Sequence, residues 1–346
     1  MKIGYSTVSV PAVELAATAG EVEAKGYHSF WAAETRHDPF VGLTLAGART
    51  STLQLGTGLA VAFARNPMTM AMVSNDLQLA TGGRFSLGLG SQIKAHITRR
   101  FGMPWSAPAA RMREYVLAMR AIWASFATGD RLRFRGEFYR HTLLVPYFDP
   151  GPNPYGNPPV YLGAVGRLMS EVAGEVADGV VMHSLSTRKY YEEVTLPALA
   201  RGREKAGLAM AGFDVFASPI VATGRDEAEL AAAVRHAKEE IAYYISTPSY
   251  ALMLELHGFE ALRDELHTLL AHGRTAEMAD AIDGEALRTF AVVGEPADAA
   301  RQAYERFSGL ATTLICHAAD YRPDPASWVE FHQELRRLSA PMVAAG

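Results

Sequence analysis

The sequence predicts an α/β protein whose strands close into an eight-stranded parallel barrel, the (β/α)8 or TIM barrel. Short apolar runs alternate with amphipathic helical windows along the 346 residues. The runs mostly lack the polar alternation of a sheet with one solvated face, so we expect strands that are covered on both faces. Eight such runs favour closure. The predicted strands span residues 2–5, 29–33, 53–61, 84–89, 160–162, 179–182, 214–221 and 312–316.

The helices between these runs have recognisable boundaries. Asn66 is a helix-capping residue, Pro67 suits a first helical turn, and the glycines at 82 and 83 end that helix. From Arg111 onward, apolar residues recur every three or four positions, and a second such stripe spans residues 230–244. This spacing predicts helices that bury one face against the sheet.

Three segments exceed what a strand-to-helix loop needs, and such segments in compact domains are often functional. They span about 91–110, 128–159 and 246–290, as insertions in a single domain covering residues 1–346. The second segment contains a predicted hairpin about Gly136 and then a stiff, proline-rich run. The third segment has a helical pattern.

Composition limits the classes of partner. The net charge of −4 comes from 33 basic and 37 acidic residues, so no strong field would attract nucleic acid, and a small molecule is the expected partner. Cys316 is the single cysteine, which excludes an internal disulfide, and no zinc-type ligand spacing occurs. We therefore expect no metal site and a cytoplasmic location. No apolar run is long enough for a membrane span, and no signal peptide is expected.

The familiar nucleotide and hydrolase motifs do not occur. The run that contains Gly88 and Gly90 begins like a dinucleotide fingerprint but lacks the third glycine. There is no phosphate-binding loop with a Gly-Lys-Ser/Thr ending, no Gly-x-Ser-x-Gly elbow and no His-Glu-x-x-His. These absences disfavour a Rossmann enzyme, an ATPase, an α/β-hydrolase and a zinc protease.

Polar residues follow several predicted strands, at the end of the barrel that carries active sites. A solvated or capping role explains each residue taken alone, but their recurrence at one rim predicts a site. These residues are Glu34 and His37 after the second strand, Arg65 and Asn66 after the third, Ser91 after the fourth, His183 and Ser184 after the sixth, and His317 after the eighth.

A small-residue loop follows the fifth predicted strand and opens a helix. It consists of Gly163, Ala164, Val165 and Gly166. Small residues expose backbone N–H groups where the helix dipole favours a phosphate. A tight turn that needs glycine for its backbone angles explains the same residues equally well.

A combination of motifs resembles the bacterial luciferase-like superfamily of flavin- and deazaflavin-dependent oxidoreductases. These motifs are Leu-Gly-Thr-Gly-Leu-Ala from Leu55, Arg-Asn-Pro from Arg65, and Gly-Gly-Arg-Phe-Ser-Leu-Gly-Leu-Gly from Gly82. The similarity extends through residues 111–123 and the loop at Gly163. Residues 33–39 and 102–105 are most similar to an actinobacterial subgroup assigned to coenzyme F420.

The resemblance implies a cofactor ring across the carboxyl ends of the strands, often in a homodimer. A non-prolyl cis peptide would fall between Gly58 and Leu59 and press on the ring, and Ser184 would assist the 163–166 loop with the phosphate. His37 lies where several F420 enzymes have a histidine near the ring; imidazole suits proton delivery, although a structural role is an open alternative. Glu34 and His183 are the other candidate proton carriers.

Two features bear on the substrate and the cofactor. Sugar-phosphate dehydrogenases of this superfamily have a glutamate acid where this chain has Ile93, which argues against that activity. The anionic tail of F420 needs cations near the mouth of the site, and Lys94, His96, Arg99 and Arg100 lie together, as a tail contact or as a solvated turn.

The sequence therefore leaves three functions to weigh. The first is an F420-dependent oxidoreductase that transfers a hydride to or from a small organic substrate. The second is a monooxygenase that uses reduced FMN and oxygen, and the third is a non-catalytic flavin-binding protein. A missing proton donor would mark the third, and the presence of His37, Glu34 and His183 disfavours it.

Overall fold

The structure is a computed structural model that describes residues 1–316 and 325–340. His317, which the sequence places after the last barrel strand, lies outside the described residues. The strands in this described part, in chain order, are β1 (Lys2–Thr7), β2 (Ser29–Ala32), β3 (Gln54–Thr57), β4 (Ala60–Val61), β5 (Phe85–Gly90), β6 (Phe134–Arg135), β7 (Arg140–His141), β8 (Val160–Ala164), β9 (Gly179–Met182), β10 (Asp214–Ala217), β11 (Ile220–Thr223), β12 (Ala291–Gly294) and β13 (Thr313–Cys316).

The main sheet confirms the predicted barrel. Its strand order is β3-β2-β1-β13-β10-β9-β8-β5-β4, and β3 also pairs with β5, which closes the sheet. Both β3 and β4 run parallel to β5, so together they occupy one of eight barrel positions formed by the described residues. The fold is a parallel (β/α)8 barrel.

The helices of the described ranges surround these strands and extend the chain beyond them. They are α1 (Ala12–Ala24), α2 (Pro39–Arg49), α3 (Pro67–Ala80), α4 (Pro108–Thr128), α5 (Arg167–Val176), α6 (Arg188–Tyr190), α7 (Leu196–Lys205), α8 (Glu227–Ile245), α9 (Ala251–His257), α10 (Glu260–Ala271), α11 (Gly284–Phe290), α12 (Pro296–Phe307) and α13 (Pro325–Ser339). No helix within these ranges is long and apolar enough to cross a lipid bilayer.

The start of α3 follows from its sequence. Asn66 caps the helix by accepting a hydrogen bond from the Thr69 N–H at 3.0 Å, and Pro67 occupies the first turn, where its missing N–H costs no hydrogen bond. Both features confirm the predicted helix boundary.

The predicted strand 53–61 divides into β3 and β4 at the peptide bond between Gly58 and Leu59, which is cis as the resemblance implies. The neighbouring β5 lies very close to this segment. The Thr57 hydroxyl donates to the Gly88 carbonyl at 2.7 Å, and a Cβ atom on Gly88 would stand 2.1 Å from the Thr57 carbonyl oxygen. Glycine is therefore required at position 88.

The amino ends of β3 and β5 are held by two charged side chains. The Glu23 carboxylate on α1 accepts hydrogen bonds from the Ser51, Thr52 and Leu53 N–H groups at 2.6–3.0 Å. Arg84 donates to the Thr50 and Leu53 carbonyls, each at 2.8 Å. We call this arrangement, at residues 50–53, the amino rim.

The chain divides into two compact units, and each has its own core. One unit comprises residues 5–181 and 198–213, and its fully buried side chains include Phe30, Phe63 and Trp123. The other comprises residues 1–4, 182–197 and 214–346, of which the structure describes residues up to 316 and 325–340. Its core contains Ile220, Ile241, Leu254 and Phe290.

The single predicted strand over 214–221 is wrong. The run is two strands: β10 pairs with β13 in the barrel, whereas β11 forms a separate two-stranded parallel sheet with β12, in the register Ile220 to Ala291. Pro219 explains the break, since it lacks an N–H for a strand ladder. Strand β12 was not expected, because four apolar residues after a helix carry no distinct strand pattern.

Each of the three long segments contains local structure. The hairpin about Gly136 forms with β6 antiparallel to β7, pairing Phe134 with His141. Residues His96–Arg100 form a π-helical turn. Residues 246–290 contain helices α9, α10 and α11.

Candidate functional site

A charged network forms at the carboxyl end of β2. Glu34, whose side chain is 7% exposed, accepts hydrogen bonds from the Val61 N–H and from Arg65 Nη1, each at 2.7 Å. The other arm of Arg65 contacts Asp38 Oδ2 at 2.6 Å. Burial alone would lower the pKa of Arg65, but the two carboxylates raise it above its usual value. We call these three side chains the Glu34 network.

The Glu34 network limits what Glu34 itself can do. One oxygen atom of its carboxylate already holds both a backbone N–H and a guanidinium. That oxygen atom cannot contact a bound molecule without breaking these two bonds. The geometry therefore favours positioning of Arg65 and β4 as the role of Glu34.

His37 lies beside this network with different surroundings. It is exposed on the loop between β2 and α2, whose first turn is capped by Asp38 through the Phe40 N–H at 2.8 Å. The imidazole has no hydrogen-bond or ion-pair partner within the part of the chain that the structure describes. Its ring nitrogens are therefore open to a bound molecule or to water.

The basic turn after β5 contacts the His37 loop through one of its cations. Arg100 donates to the Thr35 carbonyl and lies over the Phe101 ring at 4.9 Å. Lys94 and Arg99 are exposed and form no ion pair with any described residue. Arg100 is thus partly engaged by protein atoms, whereas Lys94 and Arg99 remain open to an anion.

Leu59 brings three strand ends together. Its carbonyl accepts from the Glu34 N–H at 3.2 Å, and its side chain covers the backbone of Gly90 and Gly163. A Cβ atom on Gly163 would lie 2.2 Å from Leu59 Cδ1, so a larger residue at 163 would displace that side chain. Gly58, Leu59, Glu34 and Gly163 therefore form one continuous surface.

The 163–166 loop opens α5 in the way that a phosphate site requires. Gly166 has φ +78° and no capping side chain, and a Cβ atom there would meet nothing within 4 Å. The first N–H groups of a helix have no acceptor within the helix, and open space lies beside the loop at Gly166. The loop residues present, Gly163, Ala164, Val165 and Gly166, fit a phosphate group.

Two further residues that were predicted to contact the cofactor form hydrogen bonds with neighbouring residues. Asn66 uses its side-chain oxygen to cap α3, and the Ser91 hydroxyl donates to the Gln92 carbonyl at 3.2 Å. Gln92 itself has φ +59°. These bonds account for Asn66 and Ser91 locally, and their cofactor contacts stay a prediction.

A second cluster follows the carboxyl end of β9. His183 Nδ1 accepts from the Leu185 N–H at 3.2 Å, and its Nε2 lies 2.9 Å from the Tyr250 hydroxyl. The Tyr244 ring meets the His183 ring edge-on at a centroid distance of 4.5 Å, and the Tyr244 phenol is hydrogen bonded to Ser184. Burial raises the pKa of both tyrosines, so both are protonated at neutral pH. We call this group the His183 cluster.

Sequence reasoning missed the two tyrosines. Tyr244 belongs to the apolar stripe of α8, where it reads as a core residue, and Tyr250 lies in the third insertion with no motif around it. The pairing of His183 with Tyr250 spans 67 positions in sequence, so no local pattern indicates it.

Sequence reasoning also missed the anchor of the hairpin. The Glu114 carboxylate on α4 accepts from the N–H groups of Glu137, Phe138 and Tyr139 at 2.5–2.8 Å. One turn earlier, Arg111 Nε donates to the Tyr139 hydroxyl at 2.9 Å. The start of α4 therefore holds the second insertion in place.

Comparisons with known proteins identify similar chains and a similar fold. An uncharacterized protein of Mycobacterium tuberculosis is 50% identical over 273 residues, which cover 79% of this chain and 80% of that protein. A 5,10-methylenetetrahydromethanopterin reductase of Methanolobus tindarius is 28% identical over 294 residues, covering 84% and 85%. The structure of a coenzyme F420 dependent tetrahydromethanopterin reductase from Methanopyrus kandleri superposes with a TM-score of 0.80 at 21% identity, covering 97% and 98%, which shows the common fold.

The family described as luciferase-like monooxygenase matches residues 3–313, nearly the whole chain. With the barrel and the cis peptide at Gly58, this match confirms the resemblance inferred from the motifs. The chain belongs to the luciferase-like monooxygenase family of oxidoreductases.

Proposed function

We propose that the protein is an F420-dependent oxidoreductase, which transfers a hydride between the deazaflavin ring and a small organic substrate. The coenzyme supplies the hydride chemistry when bound, and the chain supplies binding, orientation and a proton. In this proposal the 163–166 loop and Ser184 bind the phosphate, while Gly58, Leu59, Arg65, Asn66, Ser91 and His183 surround the rest of the cofactor.

The observation that carries the proposal is the glycine at the start of α5, Gly166. Its positive φ, the absent capping side chain and the free space beside it suit a phosphate oxygen accepting from backbone N–H groups. The same backbone angle and open space occur at Gly212, so what distinguishes Gly166 is its place between the end of barrel strand β8 and the first turn of α5. A phosphorylated flavin or deazaflavin suits that position.

Deazaflavin is favoured over flavin by charge and by similarity. Lys94 and Arg99 are exposed cations without carboxylate partners among the described residues, and the F420 tail carries carboxylates that FMN lacks. One solved structure with a similar barrel, that of the Methanopyrus kandleri enzyme, is of a coenzyme F420 dependent reductase. His96 and Arg100 complete the basic turn beside them.

His37 is the proposed proton carrier. It is exposed, without a described partner, and directly precedes the Asp38 cap of α2. An imidazole suits proton exchange near neutral pH. Glu34 is the second candidate, although its contacts with Arg65 and Val61 favour a positioning role.

The family match itself favours a second candidate. Its description is a luciferase-like monooxygenase, so a reaction of reduced FMN and oxygen on the same barrel is the alternative. A non-catalytic flavin-binding protein would bind a cofactor without turnover.

Titration of the purified chain with F420 and with FMN separates these functions. We expect micromolar binding of F420, followed by its absorbance and fluorescence, with FMN binding at least tenfold weaker. Tight FMN binding with oxygen consumption by the reduced form would move the assignment to the monooxygenase. Binding of a cofactor without any turnover would favour the third function, and binding of neither cofactor would reject the proposal.

We also propose that the chain forms a homodimer through α2 and α3. Exposed apolar side chains on these helices include Val41, Leu45, Met72 and Leu79, and exposed apolar surface suits an interface between copies of the chain. Light scattering after gel filtration tests this, with Leu45→Lys and Met72→Lys together expected to give a monomer. A monomeric wild-type chain at micromolar concentration would reject it.

A further inference from the structure

The His183 cluster contains a hydroxyl group whose hydrogen is directed away from the protein groups around it. The Leu185 N–H donates to His183 Nδ1, so that nitrogen carries a lone pair and not a proton. A neutral imidazole then has its proton on Nε2. The tautomer is therefore set by a backbone hydrogen bond.

This tautomer fixes the direction of the next hydrogen bond. His183 Nε2 lies 2.9 Å from Tyr250 Oη and, carrying the proton, acts as the donor. The phenol oxygen accepts, and its own hydrogen must point elsewhere. The Tyr250 hydroxyl has no other hydrogen-bond partner in the described ranges.

The ring of Tyr250 is held in place. It packs against the His183 ring at a centroid distance of 4.5 Å and against the Tyr244 ring at 5.8 Å. Tyr244 is held in turn by its hydrogen bond with Ser184. Because Tyr250 stays protonated at neutral pH and is partly exposed, it is a preorganised donor that a small molecule can reach.

The position of the Tyr250 hydroxyl suggests that it binds a ligand. His183 directly follows β9, and the carboxyl ends of barrel strands form the catalytic rim. We propose that Tyr250 donates a hydrogen bond to the oxygen atom of a neutral carbonyl compound. This contact goes beyond the proposed hydride transfer and does not depend on it.

Tyr250 is then a substrate contact, and His183 is a positioning residue that acts through it. The matching chemistry is a neutral oxygen acceptor, because neither His183 in this tautomer nor the protonated tyrosines carry a charge. A carboxylate or phosphate would call for a cation instead.

The test compares two small probes that differ in one atom group, cyclohexanone and methylenecyclohexane, in which a CH2 group replaces the carbonyl oxygen. Binding to the full chain is measured by saturation-transfer NMR, alone and with saturating F420. We expect the wild type to prefer the ketone in at least one of these states. The variant Tyr250→Phe should weaken ketone binding about three- to tenfold and leave the alkene unchanged.

Two further variants separate a direct contact from a structural effect. Tyr243→Phe, an exposed tyrosine on α8, is the matched control and should keep the preference. His183→Gln retains an N–H donor near the position of Nε2 and should preserve the preference, whereas His183→Leu should lose it.

Several results would overturn the inference. These are a wild type without a ketone preference in either state, equal loss of both probes in Tyr250→Phe, and an unchanged preference in that variant. The F420 titration is read separately, so a chain that fails to bind F420 yet discriminates the probes through Tyr250 rejects the proposed function and not this contact.

Discussion

Two carboxylates hold opposite ends of the same set of strands, and they do so differently. At the amino rim, Glu23 accepts only neutral donors, the N–H groups of residues 51–53 and the Thr52 hydroxyl. At the carboxyl rim, Glu34 accepts one N–H group and the guanidinium of Arg65, which also contacts Asp38. Both arrangements fix a loop to a neighbouring strand.

The difference shows how one barrel separates stability from chemistry. At the amino rim, Glu23 and Arg84 each bind neutral backbone groups and so fix the loop. The Glu34 network instead pairs two carboxylates with a cation beside His37, the proposed proton carrier. In barrel enzymes the amino face serves stability and the carboxyl face serves catalysis, and these two glutamates follow that division.

The largest effect is expected for His37, at the carboxyl rim. If it exchanges the proton that accompanies hydride transfer, His37→Ala should lower turnover by about 10²- to 10⁴-fold and leave F420 binding nearly intact. Turnover is measured from the deazaflavin absorbance with a substrate found by screening ketones and alcohols. His267→Ala, an exposed histidine on α10, is the control. Loss of binding together with turnover would make His37 a cofactor contact or a structural element.

Glu34 lies at the carboxyl rim, and we expect its replacement to affect stability as well as the candidate site. Glu34→Gln removes the charge that pairs with the partly buried Arg65, so we expect the free energy of unfolding to fall by about 2–3 kcal/mol, below the range for a fully buried pair. Urea unfolding measures the change, with Glu192→Gln, from an exposed pair with Arg188, as the control. If Glu34→Gln alters turnover alone, Glu34 is an acid rather than a positioning residue.

Cofactor affinity tests the proposed role of the 163–166 loop at the carboxyl rim. Gly166→Glu places a side chain and a like charge where the phosphate is proposed to bind, so the Kd of the cofactor should rise more than tenfold, which is above about 1.4 kcal/mol. Gly212→Glu is the matched control, since Gly212 also has a positive φ and nothing within 4 Å of a Cβ atom. Equal affinities in both variants would reassign the loop to a turn.

The amino rim should respond to acid and leave catalysis unaffected. Burial alone would raise the pKa of Glu23, but the N–H donors of Thr52, Leu53 and Ser51 lower it to about 2, from an ordinary value of 4.5. Its contribution to stability is therefore complete above about pH 4.5 and is lost as the pH falls through about 2.

Since Glu23 is partly exposed, we expect that contribution to be about 1–2 kcal/mol. Glu23→Gln should lower stability by this amount at pH 7 and flatten the acid loss, whereas Glu21→Gln on the same helix should do neither. The measurement is urea unfolding between pH 2 and 7. A change in F420 affinity in Glu23→Gln would contradict the division between the two rims.

The barrel was predictable because its signals are local. Apolar runs mark the strands, and Asn66 with Pro67 marks the start of α3. The run 214–221 was misread because its apolar residues continue across Pro219, and the proline was the available signal for a break. Strand β12 carries no signal of its own, since it is defined by its pairing with β11.

The candidate site was predictable in its positions and less so in its contacts. Strand ends placed Glu34, Arg65 and His183 at one rim, yet only the structure pairs Glu34 with Arg65 and His183 with Tyr250. Such pairs join residues 31 and 67 positions apart. Their geometry depends on the closed fold, which no window of sequence contains.

The small sheet of β11 and β12 has a consequence for how this chain can diversify. The segment between these strands contains α8 to α11, and it leaves and returns through adjacent parallel strands in the register Ile220 to Ala291. Because the paired strands fix where the segment leaves, after Thr223, and where it returns, at Ala291, the segment can change in length or be exchanged as a cassette while that pairing is preserved. Tyr250 lies inside this cassette, so exchange of the cassette would replace the proposed Tyr250 contact and keep the barrel strands unchanged.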